Sequence, residues 1–224
     1  MSIDRILKVP YNLPGTSSWQ WVNLYTRMSQ ERIIFLNQPI TDGFANSTIA
    51  ALLYLESVDN TKPIYLYINS IGDPVAAGMA KSDIGMMSVM AGLAIYDTLK
   101  HIKSDVYTIC IGQAMGIATL LLSAGTKGKR ASLPHASIGL MPGRSGTRGQ
   151  ASDIIVNAAQ VLAKKGTIAD VFAETTGQSP ERIMADSERM LYMTSVEAME
   201  YGLIDRVLES TKDLPSLAMA TDHS

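Results

Sequence analysis

The order of short β-type runs and longer helical runs predicts an α/β protein built on a parallel sheet covered on both faces. Three observations carry that reading. The runs IYLYI (64–68) and VYTICI (106–111) are almost continuously apolar, as strands buried on two faces are. Each is followed by a stretch with apolar residues at helical spacing. Turn residues fall between the two kinds of segment rather than inside them.

Taken in order, RIIFL (32–36) is a first strand, followed by a helix from about Gly43 to Ser57 carrying Ile49, Leu52, Leu53 and Leu55. IYLYI leads into a helical stretch from about Ala76 to His101, and VYTICI into a helix over Met115–Ser123. Two short strands are expected near Arg130–Leu133 and Ser137–Met141. A long helix then runs from about Ser152 to Thr176, with Ile154, Ile155, Ala158, Val161, Leu162 and Ile168 recurring at three and four. Gly166 falls mid-helix, where it costs about 1 kcal/mol against Ala and marks an expected kink. Gly177 suits the position just past a helix end, and Ser179–Pro180 reads as N-cap and first residue of another helix. The polar tail after Glu209 is expected to be disordered. AAGMA at 76–80 is echoed by MAGLA at 90–94, so the Met-rich segment between them is a lengthened turn or an extended helix.

The 224 residues suffice for one sizeable core, and no composition shift marks a second domain. A formal net charge of −2 gives no electrostatic case for nucleic acid or an anionic membrane as partner. No run approaches the roughly 20 apolar residues that span a bilayer. The single cysteine, Cys110, lies in an apolar strand and has no intrachain partner, which suits a reducing compartment. The N-terminal residues have neither signal-peptide nor transit-peptide character, so a cytoplasmic location is expected over a plastid stroma. No His/Cys/Asp/Glu cluster has metal-ligand spacing and no Walker-type loop is present, so no metal, nucleotide or other cofactor is expected. The 13 methionines serve as core filler or as an adaptable contact surface.

Several segments together resemble one family. RIIFLNQPITDGFANSTIAALLYLE, KPIYLYINS, GQAMGIATLLLSAG, LPHASIGLMPG, TGQSPERI and SVEAMEYGLIDRVL are similar to ClpP, the serine peptidase subunit family of the ATP-dependent Clp protease. The similarity runs from about Gln30 to Leu208. It implies the ClpP/crotonase fold, repeated ββα units with a protruding handle helix, and face-to-face seven-membered rings around a chamber. It divides the chain into an N-terminal axial segment (1–31), a ClpP-like domain (32–209) with its handle at about 143–177, and a tail (210–224).

The same resemblance places the family's catalytic positions. Its nucleophile falls on Gly116, its general base on Met141, and the aspartate that orients the base on Met190. Glycine offers no atom to attack a carbonyl, and a thioether neither takes nor gives a proton near neutral pH. Met190 cannot accept an imidazole N–H as a carboxylate does. The oxyanion-hole glycine falls on Asp73, whose charge would repel the developing oxyanion. An emptied triad in a ClpP-like chain resembles ClpR, the non-catalytic branch of the family in cyanobacteria and plastids, as does the extended segment between YINS and IYDT.

That likeness implies a structural or regulatory subunit rather than an enzyme. Its implied partners are a catalytic ClpP paralogue in mixed heptameric rings, an AAA+ unfoldase of the ClpC type, and unfolded protein substrates. Trp19, Trp21 and Tyr25 lie in the N-terminal segment that members use around the entrance pore. Two rivals remain. One is an active serine peptidase with a relocated triad drawn from Ser123, Ser137 or Ser145 and His135. The other is a crotonase-type acyl-CoA enzyme, which needs two free N–H groups at the oxyanion hole and an acidic residue.

Overall fold

A computed structural model of the chain describes residues 7–12, 19–74, 85–142 and 150–210. Segments expected over 76–84, 143–149 and 211–224, which include part of the Met-rich stretch, Ser145 and the tail, lie outside the described residues.

The described chain opens with an antiparallel pair, β1 (Lys8–Asn12) and β2 (Trp19–Asn23), in register from Lys8 opposite Asn23 to Asn12 opposite Trp19. Helix α1 (Leu24–Gln30) follows, its N-cap Asn23 accepting from the Tyr25 amide. These elements lack a periodic apolar signal, and the sequence-level reading did not anticipate them.

The central sheet is built from β3 (Ile33–Leu36), β4 (Ile64–Ser70), β5 (Val106–Met115), β6 (Arg130–Ser132), β7 (Ser137–Leu140), β8 (Leu191–Met193) and β9 (Arg206–Val207). β3, β4, β5, β6 and β9 lie side by side and parallel. Between the strands run α2 (Asp42–Val58), α3 (Gly85–His101), α4 (Ile117–Ser123), α5 (Ala151–Thr176), α6 (Pro180–Asp186) and α7 (Ser195–Tyr201). The α/β alternation is as expected, and α5 runs unbroken through Gly166. Gly177 takes the left-handed conformation (φ 81°) at the end of α5, and Ser179 caps α6 by accepting from Arg182.

Two features differ from expectation. Strand β5 persists to Met115, so α4 begins at Ile117 rather than at Met115. Residues 113–115 pair with Ser137–Gly139 of β7, and that ladder holds them extended. The second difference concerns the two faces of the sheet. The large core joins Leu66, Ile68 and Cys110 to helix residues such as Leu52, Ile95 and Leu120. On the other face Tyr65, Ile109, Ala131 and Leu208 form a smaller cluster in which no helix residue takes part. Rings stack there, Phe35 on Tyr67 and Tyr65 on Tyr107, with centroids 5.3 and 5.0 Å apart. Continuous apolar strands signal two-sided burial, but among the described residues the only helix meeting these rings is the short α1, whose Tyr25 lies edge-on to Phe35 at 6.4 Å.

β5 changes neighbours along its length. Thr108–Cys110 pair with β6, whereas Gln113–Met115 pair with β7, which turns away to pair antiparallel with β8. Gly112 (φ 85°) lies at the change, and a Cβ there would meet the Asn69 side chain at 2.8 Å. The adjoining β4 ladder slips register between Ile68 and Ser70. This switch carries the end of β5 out of the main sheet and builds the site below.

α7 is fixed by a capping box: Thr194 accepts from the Glu197 amide, and Glu197 accepts from the Thr194 amide at 2.8 Å. Thr194→Ala is expected to lower stability by about 1 kcal/mol, measured as a shift in urea midpoint at unchanged m-value.

Candidate functional site: a cavity at the strand β5 to helix α4 turn

Gly116 forms the turn between β5 and α4, with φ 54° and ψ −115°. Few residues with a side chain adopt that conformation without strain. The turn is pinned on two sides. The Gly116 amide donates to the Gly139 carbonyl at 3.0 Å, and Thr119 Oγ1 lies 2.7 Å from the carbonyls of both Ala114 and Gly139.

Strand pairing brings the other two singled-out positions here. β7 ends at Leu140, paired with Leu191 of β8, so Met141 and Met190 flank the last pair of this antiparallel ladder. A Cβ placed on Gly116 would lie 3.4 Å from Met141 Cβ and 3.6 Å from its Sδ. Gly116 and Met141 are therefore neighbours across an ordinary van der Waals gap and both line the cavity, whereas Met190, 36% exposed, is not among its lining residues. No protonatable or nucleophilic side chain is among these three.

Asp73 lines the same cavity. Gly72 beside it takes φ 76°, and a Cβ there would lie 2.3 Å from the Met115 carbonyl oxygen, so the loop passes against the end of β5. The Asp73 amide donates to the Ile71 carbonyl at 2.9 Å and is thus engaged within its own turn. Pro74 follows and has no N–H to offer.

The cavity measures about 130 Å³. Leu140, Met141 and Pro142 form part of one wall; Val161, Ile168 and Phe172 of α5 form another, with Lys164 and Lys165 beside them. The two lysines escaped sequence reasoning. Their one signal was a Val161–Lys164–Lys165–Ile168 spacing that puts all four on one helical face.

Among the described residues offered for a relocated triad, none is hydrogen-bonded to another. Ser123 is buried, donating to the Leu120 carbonyl at 2.9 Å and pairing with Thr175 Oγ1 at 3.0 Å. His135 is exposed in the turn between β6 and β7, Ser137 is half-buried at the start of β7, and Ser145 lies outside the described residues. Cys110 is buried in β5, and burial pushes its thiol up to about 12 despite a hydrogen bond from Ser132. Its thiolate is negligible near pH 7. Native protein is expected to resist iodoacetamide and to react once in denaturant, read by intact mass.

Among the described residues, no group of three or more His, Cys, Asp or Glu could hold a metal ion, and no helix is long and apolar enough to cross a membrane.

A mostly parallel sheet flanked by helices is consistent with the ClpP fold. The chain belongs to the Clp protease family, which it matches over residues 15–87 and 85–211. It is 50% identical over 201 residues to the "ATP-dependent Clp protease proteolytic subunit 2" of Prochlorococcus marinus (strain MIT 9313), covering 89% of this chain and 94% of that protein. It is 48% identical over 201 residues to the "ATP-dependent Clp protease proteolytic subunit 3" of Synechococcus sp. (strain CC9902), with the same two coverages. Both relatives carry the name of proteolytic subunits.

Proposed function

We propose that this chain is a non-catalytic, ClpR-type subunit of the Clp protease core. It assembles with catalytic ClpP-type subunits into mixed heptameric rings and a double-ring chamber. The observation that carries this reading is the chemistry of Gly116 and Met141 at the cavity, with Met190 beside the β7–β8 ladder: no atom to attack a carbonyl and no group to move a proton. The Asp73 carboxylate and the engaged Asp73 amide add to it, since an oxyanion hole needs free donors. The same two features weigh against a crotonase-type acyl-CoA enzyme.

With chemistry lost, surfaces remain for selection to act on. Ile155 and Leu162 of α5 are 70% and 69% exposed, and Ile154 and Val156 are exposed beside them. Exposed aliphatic residues on a long projecting helix fit contact with another subunit. Ring contacts are heterologous, so a neighbour can be a related but different chain. The aromatic face around Tyr65, Tyr67 and Tyr107 and the exposed Trp19 and Trp21 support docking of an AAA+ unfoldase of the ClpC type. Fewer cutting sites per ring and a changed docking face make the subunit regulatory.

Co-expression with a catalytic ClpP-type subunit, purification through a tag on this chain, and native mass measurement test the proposal. Mixed rings of constant composition are expected. Rings of this chain alone, with the catalytic subunit in the flow-through, would overturn it.

A further inference from the structure

The aromatic side of the sheet lies open next to the point where the described chain ends. Tyr65, Ile109, Ala131 and Leu208 are buried there, while Tyr67, Tyr107 and Ile111 are half-buried along β4 and β5. α1 meets this side at Phe35 of β3, through Tyr25. At the other margin Leu208 is the last buried residue, and Glu209 and Ser210 are exposed. Val207 pairs with Ser132 and Ser132 with Cys110, so the end of β9 stands two strands, roughly 10 Å, from β5. Leu208 follows, and it packs on the same side of the sheet as Tyr65 and Ile109. The chain thus leaves the sheet at the edge of a half-covered aromatic surface.

Residues 211–224 come next and read TKDLPSLAMATDHS. One apolar run, LPSLAMA (214–220), lies between polar flanks. Residues 211–213 bridge about 13 Å between Ser210 and Leu214 when extended, enough to reach β5 before that run begins. Residues 214–219 then span about 17 Å, against about 13 Å along β5 from Ile111 back to Tyr107. Pro215 has no N–H, which argues against the run as an extra strand hydrogen-bonded beside β9. A segment lying across side chains, with no ladder to join, loses nothing by that proline. So short a linker holds the run over its own sheet at an effective concentration on the order of millimolar, which favours that sheet over a second copy's.

We propose that residues 214–219 fold back over the aromatic side of their own sheet, with Leu214 and Leu217 against Ile111, Tyr67 and Tyr107. The tail is then an intramolecular cover, and any partner that docks on this surface has to displace it. The cover goes beyond the non-catalytic reading and does not depend on it, since a subunit that cuts could carry the same tail.

Two measurements on the purified full-length chain test it. With Leu217→p-benzoylphenylalanine, irradiation is expected to give a product that runs as one chain on a denaturing gel. Its attachment is expected within residues 64–70 or 106–111, mapped by mass spectrometry. A two-chain band would overturn the proposal in favour of a second copy, and attachment elsewhere or none at all would overturn it outright. In the second measurement, Leu214→Asp/Leu217→Asp places two carboxylates on the cover and leaves the core untouched, checked by its melting curve. Nitration of Tyr67 and Tyr107 by tetranitromethane is expected to rise about fivefold, because a charged run does not stay on an apolar surface. Tyr54, 65% exposed on α2, serves as the reference and is expected to be nitrated at an unchanged rate. Equal nitration of Tyr67 and Tyr107 in both proteins would overturn the proposal. Neither readout involves peptide cleavage, so failure here is distinct from failure of the non-catalytic reading.

Discussion

Protein purified free of catalytic partners is expected to take no fluorophosphonate label and to leave a fluorogenic peptide uncut. The fourfold variant Gly116→Ser, Met141→His, Met190→Asp, Asp73→Gly is expected to gain both activities. Position 116 has room, since the new Cβ meets Met141 at ordinary contact distance. Its φ of 54° and ψ of −115° cost a side chain on the order of 1–3 kcal/mol, which a melting curve registers. In a related triad, loss of nucleophile or base alone lowers turnover by about 10⁶. A gain of about 10³ over the unmodified chain is therefore within reach of imperfect geometry. Without Asp73→Gly the triple variant is expected to label but to turn over about 10²-fold more slowly, the worth of an oxyanion donor. Label on the unmodified chain would end the non-catalytic reading. A correctly folded fourfold variant that stays inert would show that these positions do not form a triad frame.

The second large effect is on stability. Arg130 in β6 is buried and pairs through Nε and Nη2 with Asp205, at 3.0 and 2.6 Å. Its Nη1 donates to the Thr175 carbonyl at 2.8 Å and the Ser123 carbonyl at 3.3 Å. One guanidinium thus ties β6 to the ends of α4 and α5 and to the turn before β9. Arg130→Met is expected to lower stability by about 3 kcal/mol, because it takes the guanidinium from the Thr175 and Ser123 carbonyls and leaves the half-buried Asp205 carboxylate with backbone amides alone. Burial pushes the Asp205 carboxyl up, but the Arg130 hydrogen bonds and charge outweigh it and hold it below the usual range. A depressed carboxylate pKa gives stability that is complete above the unfolded value of about 3.9 and is lost as pH falls through the folded value. The gap between wild type and Asp205→Asn is therefore expected to be constant at pH 6–7 and to close below about pH 4. Denaturant curves across that range would show it, and a gap independent of pH would exclude the ion pair as its source.

Much of the architecture was legible along the chain because its signals are local. α5, its Gly177 stop and the Ser179–Pro180 start follow from spacing and capping chemistry within a few residues. β4 and β5 follow from apolar runs. The hairpin of β1 and β2 was not legible, because Trp19 and Trp21 are exposed and no alternation of buried and polar residues marks the pair. The end of β5 was placed within a helix, because GQAMGIATL carries helix formers and the partner holding residues 113–115 extended lies more than twenty positions downstream.

The identities of Gly116, Met141 and Met190 were in the sequence, and with them the chemistry those side chains cannot perform. That Gly116 and Met141 share one cavity was decided by β5 passing from β6 to β7, since pairing depends on distant partners that no local pattern encodes. The placing of Lys164 and Lys165 over that cavity, and of Arg130 against Asp205, has the same cause. Charge and hydrophobicity are properties of a residue, whereas a neighbour across space exists only once the chain has closed.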